Sequence, residues 1–273
     1  MKSVHFLLKD PDEAGGLAVK LRNAGIRIML GDYNGAEDIL RMDRDELPLL
    51  ITDSREAAEW CMRNKIPCLG YENNEEVRFP GLPVVIQGFE EIDKDFLAIV
   101  YNRCMGIPVV IAQTERLVIR ELSLADLDGI YGLYSQPGAC SYMPGLDPDR
   151  EKERERLDAY IKNMYPIYEY GLWALIEKKS GILAGQAGLE NREYRGRSIV
   201  ELGYMIDRGY QRRGLGYEAC QAIISYAKEV LGIEELYAFI DPENTASLRL
   251  AEKLSFAFLE RSEKEGLFVY VKT

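Results

Sequence analysis

The sequence predicts two domains of different class: an N-terminal three-layer α/β domain with a mostly parallel sheet over residues 1–112, and a C-terminal α+β domain with a mixed, mostly antiparallel sheet over residues 113–273. Three observations predict this division. At 273 residues the chain exceeds the usual size of one domain. The first part alternates short β-rich runs with helical runs, the mark of βαβ units around a parallel sheet. Around GIPVVIAQTERLVIREL the pattern restarts, and strands then follow one another with fewer helices between them.

In the first part the β-rich runs are VHFLL, RIML, LPLLITD, IPCLGY and LPVVIQ, and the helical runs are DEAGGLAVKLRNAG, REAAEWCMRNK and DKDFLAIVYNRCMG. Asp10-Pro11-Asp12 formally matches a catalytic DxD, but Asp-Pro after a strand is the pattern of a helix N-cap followed by proline at the first helical position. In the second part an alternating strand is expected at 116–121, helices at 124–135 and 149–164, and strands at 172–177, 182–189 and 199–206. A long helix at 213–231, a strand at 236–241, a helix at 245–254 and a hairpin of 257–262 with 267–272 complete the order. The run EKERERL carries both charge signs and reads as a solvated helix face.

Composition narrows the chemistry. Hydrophobic residues make up 47% and charged residues 29%, which suits a folded soluble protein. No window is long and apolar enough for a bilayer, and MKSVHFLLKDPDE turns acidic too early for a signal peptide, so a cytoplasmic location is expected. Cys61, Cys68, Cys104, Cys140 and Cys220 are scattered and never spaced as CxxC, which argues for reduced thiols and against a zinc site. His5 is the single histidine, so a Ser/His/Asp triad or a multi-histidine metal site is nearly excluded. Carboxylates, hydroxyls and backbone amides must carry the chemistry. The net charge is −11, with acidic residues in excess on both sides of residue 112, so no nucleic-acid partner is expected and a cationic amine is favoured.

The informative stretch is IVELGYMIDRGYQRRGLGYEACQAIISYAKEVLG. Val200, Leu202, Tyr204 and Ile206 alternate with Glu201, Gly203 and Met205 as a strand does. Cys220, Ile223, Ile224, Ala227 and Leu231 then recur at helical spacing. Between them, Gln211, Arg212, Arg213, Gly214, Leu215, Gly216 and Tyr217 lead directly into the helix. Glycines there let backbone approach a ligand closely, the first-turn amides can converge on an anion, and the arginines add positive charge. This pattern is a pyrophosphate cradle. Gly214-Leu215-Gly216-Tyr217-Glu218-Ala219 also matches the dinucleotide pattern GxGxxA, but a Rossmann loop follows its strand at once, whereas Asp207 to Arg213 intervene here.

Gln-x-x-Gly-x-Gly after a Gly-Tyr-x-Ile-Asp strand resembles the coenzyme A motif of the GNAT N-acetyltransferase superfamily. The family's second motif is similar to the stretch from Asp241 through Asn244, Ser247 and Leu254 to Phe256. Within the family, the TERLVIREL opening and the ELGYMID strand look most like the ribosomal-protein-alanine acetyltransferase branch. LLITDSREAAEWCMRNKIPCLGYENN resembles the C-terminal half of a haloacid dehalogenase-like domain, which implies a degenerate, Rossmann-like domain in a supporting or regulatory role.

The GNAT resemblance implies transfer of an acetyl group from acetyl-CoA to a primary amine, either a protein N-terminus or a small molecule, by direct attack in a ternary complex without a metal. It implies that the pantetheine arm lies along the strand ending at Met205 and Ile206, where a backbone amide serves as oxyanion donor. It also implies that Asn244 contacts that arm and that Ser247 faces the sulfur. Glu201 is the first candidate base and Glu190 the second; each could instead be a strand carboxylate paired with Arg192, Arg195 or Arg197. Many relatives carry a tyrosine acid on the helix after the asparagine, where this sequence has Leu250 and Ala251, and Ser255 replaces the usual glycine before Phe256. The missing tyrosine leaves a second reading open, a non-catalytic acyl-CoA-binding regulatory module. Tyr142, Tyr160, Tyr165, Tyr168 and Tyr170 are expected to wall the acceptor site or to pack the core.

Overall fold

The computed structural model describes residues 1–31, 39–73, 78–137 and 145–273, and its described part divides into two compact units, Met1–Val109 and Val110–Thr273. Cys140 and Tyr142 lie outside the described residues.

In the first unit, β1 (Ser3–Leu7), β2 (Arg27–Leu30), β3 (Leu49–Thr52), β4 (Cys68–Tyr71) and β5 (Val85–Ile86) form a wholly parallel sheet in the order β2-β1-β3-β4-β5. Helices α1 (Gly15–Asn23) and α3 (Lys94–Met105) pack Leu17, Leu21, Leu97 and Val100 with Val4, Phe6 and Ile51. On the other face, α2 (Arg55–Asn64) packs Ala58 and Cys61 with Leu7 and Leu50. Three layers result, because strands buried on both sides need helices on both sides. Asp10 caps the short 3-10 turn Pro11–Ala14 by accepting from the Asp12 amide, and Pro11 holds the first position.

The second unit is an eight-stranded sheet in the order β12-β13-β11-β10-β9-β8-β7-β6. Its strands are β6 (Val110–Gln113), β7 (Leu117–Glu121), β8 (Leu172–Glu177), β9 (Leu183–Tyr194), β10 (Arg197–Ile206), β11 (Leu236–Ile240), β12 (Ala257–Arg261) and β13 (Phe268–Lys272). Every neighbouring pair is antiparallel except β10 with β11. Strand β6, which the sequence reading leaves as a hydrophobic stretch at the boundary, pairs with β7 through Val110↔Arg120 and Gln113↔Val118.

Helix α4 (Leu127–Tyr134) packs Leu127 and Ile130 on one face of this sheet, and α5 (Arg150–Tyr168) adds Leu157 there. Helix α5 runs past the expected end at 164 and carries Pro166 in its final turn. Helix α6 (Leu215–Glu229) covers the opposite face with Leu215, Ala219, Cys220, Ile223 and Ala227, joined by Ala251 and Leu254 of the α7 (Thr245–Lys253) region. Burying each large aliphatic chain of that stripe contributes about 2 kcal/mol. Residues Gln211 to Gly214 are exposed, so the N-terminus of α6 is accessible.

Candidate functional site

Strand β10 pairs with β9 from Arg197↔Tyr194 to Ile206↔Gly185, but its parallel register with β11 is confined to Glu201↔Tyr237. The Asp207 amide donates to the Ala184 carbonyl at 2.9 Å, which makes 207/184 a hydrogen-bonded pair of the antiparallel ladder. By alternation, Glu201, Gly203 and Met205 turn their backbone groups to β9, while Leu202, Tyr204 and Ile206 turn theirs toward β11. Past Leu202 the two parallel strands separate. The amides of Tyr204 and Ile206 thus face a gap in the sheet, and Gln211 Nε2 donates to the Ile206 carbonyl at 2.9 Å. The Met205 backbone, expected to line the same edge, belongs to the β9 side. Gly185 packs against it so closely that a Cβ would sit 2.3 Å from the Met205 carbonyl oxygen, which fixes the strand from behind.

Helix α6 opens beside this gap. Gly214 is its N-cap at φ +81, a left-handed conformation that glycine adopts without strain, and no side chain caps the helix. The first-turn amides of Leu215, Gly216 and Tyr217 have no acceptor four residues back. A Cβ on Gly216 would lie 3.4 Å from Ile206 and 3.6 Å from Leu250, so this glycine sits where strand, helix α6 and helix α7 converge. Arg212 is exposed, with no ion-pair partner among the described residues, and Arg213 stacks over Tyr210 at 5.4 Å. Arg116 holds the loop from below, donating to the Arg213 carbonyl at 2.7 Å and to Glu218 at 2.7 Å. Burial pushes the Glu218 carboxyl up, but the Thr114 hydroxyl and the Arg116 amide and guanidinium outweigh it and hold it below its ordinary value. Gln136 fixes the strand exit, bonding the Asp207 carboxylate and accepting from the Arg208 amide at 2.8 Å.

The two carboxylate candidates lie opposite each other on the face that carries α4 and α5, in the register Glu201↔Glu190. Glu201 accepts from Arg192 Nη1 at 2.7 Å and from the Phe239 amide, and Arg192 also bonds Glu265 and stacks over Phe239 at 3.9 Å. Glu190 has no hydrogen bond among the described residues, and its Oε2 would lie 3.8 Å from a Cβ on Gly203. Burial and then the charge of Glu201 raise the Glu190 pKa, partly offset by Arg192. Burial raises Glu201 as well, against the opposing pull of Arg192.

On the other face Asn244 caps α7 and accepts from the Ser247 amide at 3.1 Å. Ser247 Oγ in turn accepts from the Tyr204 hydroxyl at 2.9 Å. Burial pushes the Tyr204 phenol up to about 12, so it stays protonated at neutral pH. In the sequence Tyr204 is one more member of an apolar alternation. No local signal links it to a serine 43 residues away. Of the tyrosines expected near the acceptor side, Tyr165 is fully buried and serves the backbone of Leu122 and Leu172, and Tyr160 accepts from the Leu172 amide.

A parallel pair bridged at Glu201↔Tyr237, with a helix that no side chain caps opening beside Ile206, is a geometry that can admit an extended, anion-bearing ligand. The family model described as an acetyltransferase (GNAT) domain matches residues 116–257, and this chain belongs to that family. Among curated relatives it is 29% identical over 152 residues to the uncharacterized protein YkkB of Bacillus subtilis (strain 168), covering 55% of this chain and 87% of that protein. It is 29% identical over 157 residues to the uncharacterized N-acetyltransferase p20 of Bacillus licheniformis, covering 56% and 83%. Among solved structures, the putative GnaT-family acetyltransferase from Bordetella pertussis superposes with a TM-score of 0.51 at 26% identity, covering 59% of this chain and 98% of that one. The putative ribosomal-protein-serine acetyltransferase from Vibrio cholerae gives a TM-score of 0.52 at 21% identity, covering 60% and 96%, a likeness of fold. The chain is therefore an N-acetyltransferase, and acetyl-CoA is its family's acyl donor. Among the described residues no helix is long and apolar enough to cross a membrane, and no group of three or more His, Cys, Asp or Glu could hold a metal ion.

Proposed function

We propose that residues 113–273 form an acetyltransferase domain that moves the acetyl group of acetyl-CoA to a primary amine by direct attack in a ternary complex. The observation that carries this reading is the gap between β10 and β11 beside the uncapped start of α6. The diphosphate seats on the amides of Leu215, Gly216 and Tyr217, with Arg212 and Arg213 alongside. The pantetheine arm takes the place of a strand along Tyr204 and Ile206, and the Ile206 amide stabilises the oxyanion. Met205 contributes its side chain to the acceptor face rather than a backbone bond.

Acid and base lie on opposite faces of the sheet. Glu190 accepts the ammonium proton, because its carboxylate is uncommitted and its pKa is raised, whereas Glu201 is held by Arg192. The amine nitrogen then forms its bond to the acyl carbon, and the C–S bond breaks toward the opposite face. Ser247 donates a proton to the departing thiolate and is replenished by Tyr204, which substitutes for the absent helix tyrosine and regains through solvent the surplus proton that the acylated nitrogen sheds.

The resemblance of TERLVIREL and ELGYMID to the ribosomal-protein acetyltransferase branch makes a protein N-terminus the first acceptor to test, and a small polyamine the second. The N-terminal unit is read as a supporting or regulatory domain. Thiol release from acetyl-CoA is the assay, run with a panel of N-terminal peptides and polyamines. Turnover with at least one amine is expected; binding of acetyl-CoA without turnover on any of them would return the reading to an acyl-CoA-binding module.

A further inference from the structure

Glycine weakens a strand interior, because ordering it costs the most chain entropy and it brings no side chain to pack. Four glycines nonetheless lie in or beside the strands around Glu190, and three of them are required by close neighbours. A Cβ on Gly185 would lie 2.3 Å from the Met205 carbonyl oxygen, one on Gly188 2.0 Å from the Gly171 carbonyl oxygen, and one on Gly171 2.6 Å from the Tyr160 hydroxyl. Gly203 is different. It lies within β10 without a positive φ, and beyond its chain neighbours a Cβ there would meet one atom within 4 Å, Glu190 Oε2 at 3.8 Å, an ordinary contact. An alanine would fit and would strengthen the strand, so neither packing nor backbone geometry accounts for this glycine.

What it supplies is room beside a carboxylate. By alternation Gly203 shares its face with Glu201 and Met205, the face that carries α4 and α5. Its partner across the ladder, Gly188, lies under Gly171 and Leu172 at the start of β8, so the sheet is covered there and open over Gly203. The next pair on the same face is Glu201↔Glu190, and the Glu190 carboxylate is the group that leans over the vacant place. Glu190 and Gly203 are both partly exposed, so an acceptor can reach them from solvent. A ligand atom resting on the bare Cα would sit about 3.5–4 Å above it. A methyl group on that Cα would lift the ligand by about 1.5 Å, the length of one C–C bond. A displacement of that order at a reacting centre costs roughly 100-fold in rate.

We propose that Gly203 determines which amines reach Glu190: the carbon that bears the acceptor nitrogen, with any branch on it, rests on the bare Cα of Gly203 while the nitrogen points at the Glu190 carboxylate. The proposal rests on the acetyl-transfer reading above, with Glu190 as the base. The full chain and its Gly203→Ala variant are compared by thiol release on pairs of amines that differ by one methyl group on the carbon bearing the nitrogen, drawn from the peptides or polyamines that the wild type acetylates. In the variant, kcat/KM is expected to fall at least tenfold further for the branched member of each pair than for the unbranched one. Acetyl-CoA affinity by calorimetry is expected to stay the same, because the Gly203 backbone is turned to β9 and away from the gap. The melting temperature is expected to hold or rise, which separates a glycine kept for the substrate from one kept for the strand. Gly203→Val should extend the loss to the unbranched amines.

An equal loss on both members of each pair, or no loss on either, overturns the assignment. A lower melting temperature in Gly203→Ala overturns it as well, since the strand would then need the glycine for itself. A wild type that acetylates no amine defeats the acetyl-transfer reading and this assignment together, whereas wild-type turnover with a Gly203→Ala variant indifferent to branching defeats this assignment alone.

Discussion

Both units place a potential binding crevice where parallel strands end, and they treat it in opposite ways. In the N-terminal sheet, with its order β2-β1-β3-β4-β5, the topological switch lies between β1 and β3. There the chain consumes its own polar groups: Asp53 accepts from the Lys9 amide at 3.0 Å, Thr52 donates to the Leu7 carbonyl at 2.9 Å, and Ser54 caps α2. In the C-terminal sheet the parallel pair β10 and β11 parts past Leu202, and α6 begins with no side-chain cap. A crevice whose donors are already satisfied has little to offer a ligand, whereas one that leaves amides unpaired has prepared for one.

Loss of the base is the largest effect expected. Glu190→Gln should lower kcat by roughly 10²–10⁴ while leaving acetyl-CoA affinity unchanged, measured by thiol release and calorimetry. A comparable loss from Glu201→Gln alone would reverse the assignment. The pH profile sharpens it. The Glu190 pKa is raised, so its basic form is present above that value and lost as pH falls through it, and the acid limb of kcat should lie above the ordinary value of a glutamate. Arg192→Met removes the cation that opposes this shift and should move the limb to still higher pH.

Next comes the open helix end. Gly214→Asp combines left-handed strain with a carboxylate at the anion seat, and should weaken acetyl-CoA binding about 100-fold by calorimetry. Unchanged affinity would mean that the diphosphate lies elsewhere. Tyr204→Phe keeps the ring but removes the hydroxyl from Ser247, and should lower kcat about tenfold with KM for acetyl-CoA unchanged. The smallest effect is expected at a closed helix end. Ser54→Ala removes the cap of α2 and should cost about 1 kcal/mol of stability in a denaturant titration, with no change in acetyl-CoA affinity.

Much of this was legible in the linear chain because it rests on periodicity and local chemistry. Strands alternate, helices repeat every three or four residues, and glycine alone adopts φ +81 without penalty, so β10, the Gly214 turn and α6 could be read in place. The Asn244 cap was local in the same way. Strand β6 is not legible in the sequence because only four residues, Val110–Gln113, have strand character, and they gain it by pairing with β7.

The sequence by itself determined the two fold classes, the glycine-capped helix start and the set of candidate carboxylates, since each depends on residues close together along the chain. Only the tertiary structure decided how those groups are used. Cross-strand register set Glu190 free and tied Glu201 to Arg192, the ladder's alternation turned Ile206 rather than Met205 toward the gap, and packing brought Tyr204 onto Ser247. Those choices are pairings between residues remote in sequence, and such pairings exist only after the sheet has assembled.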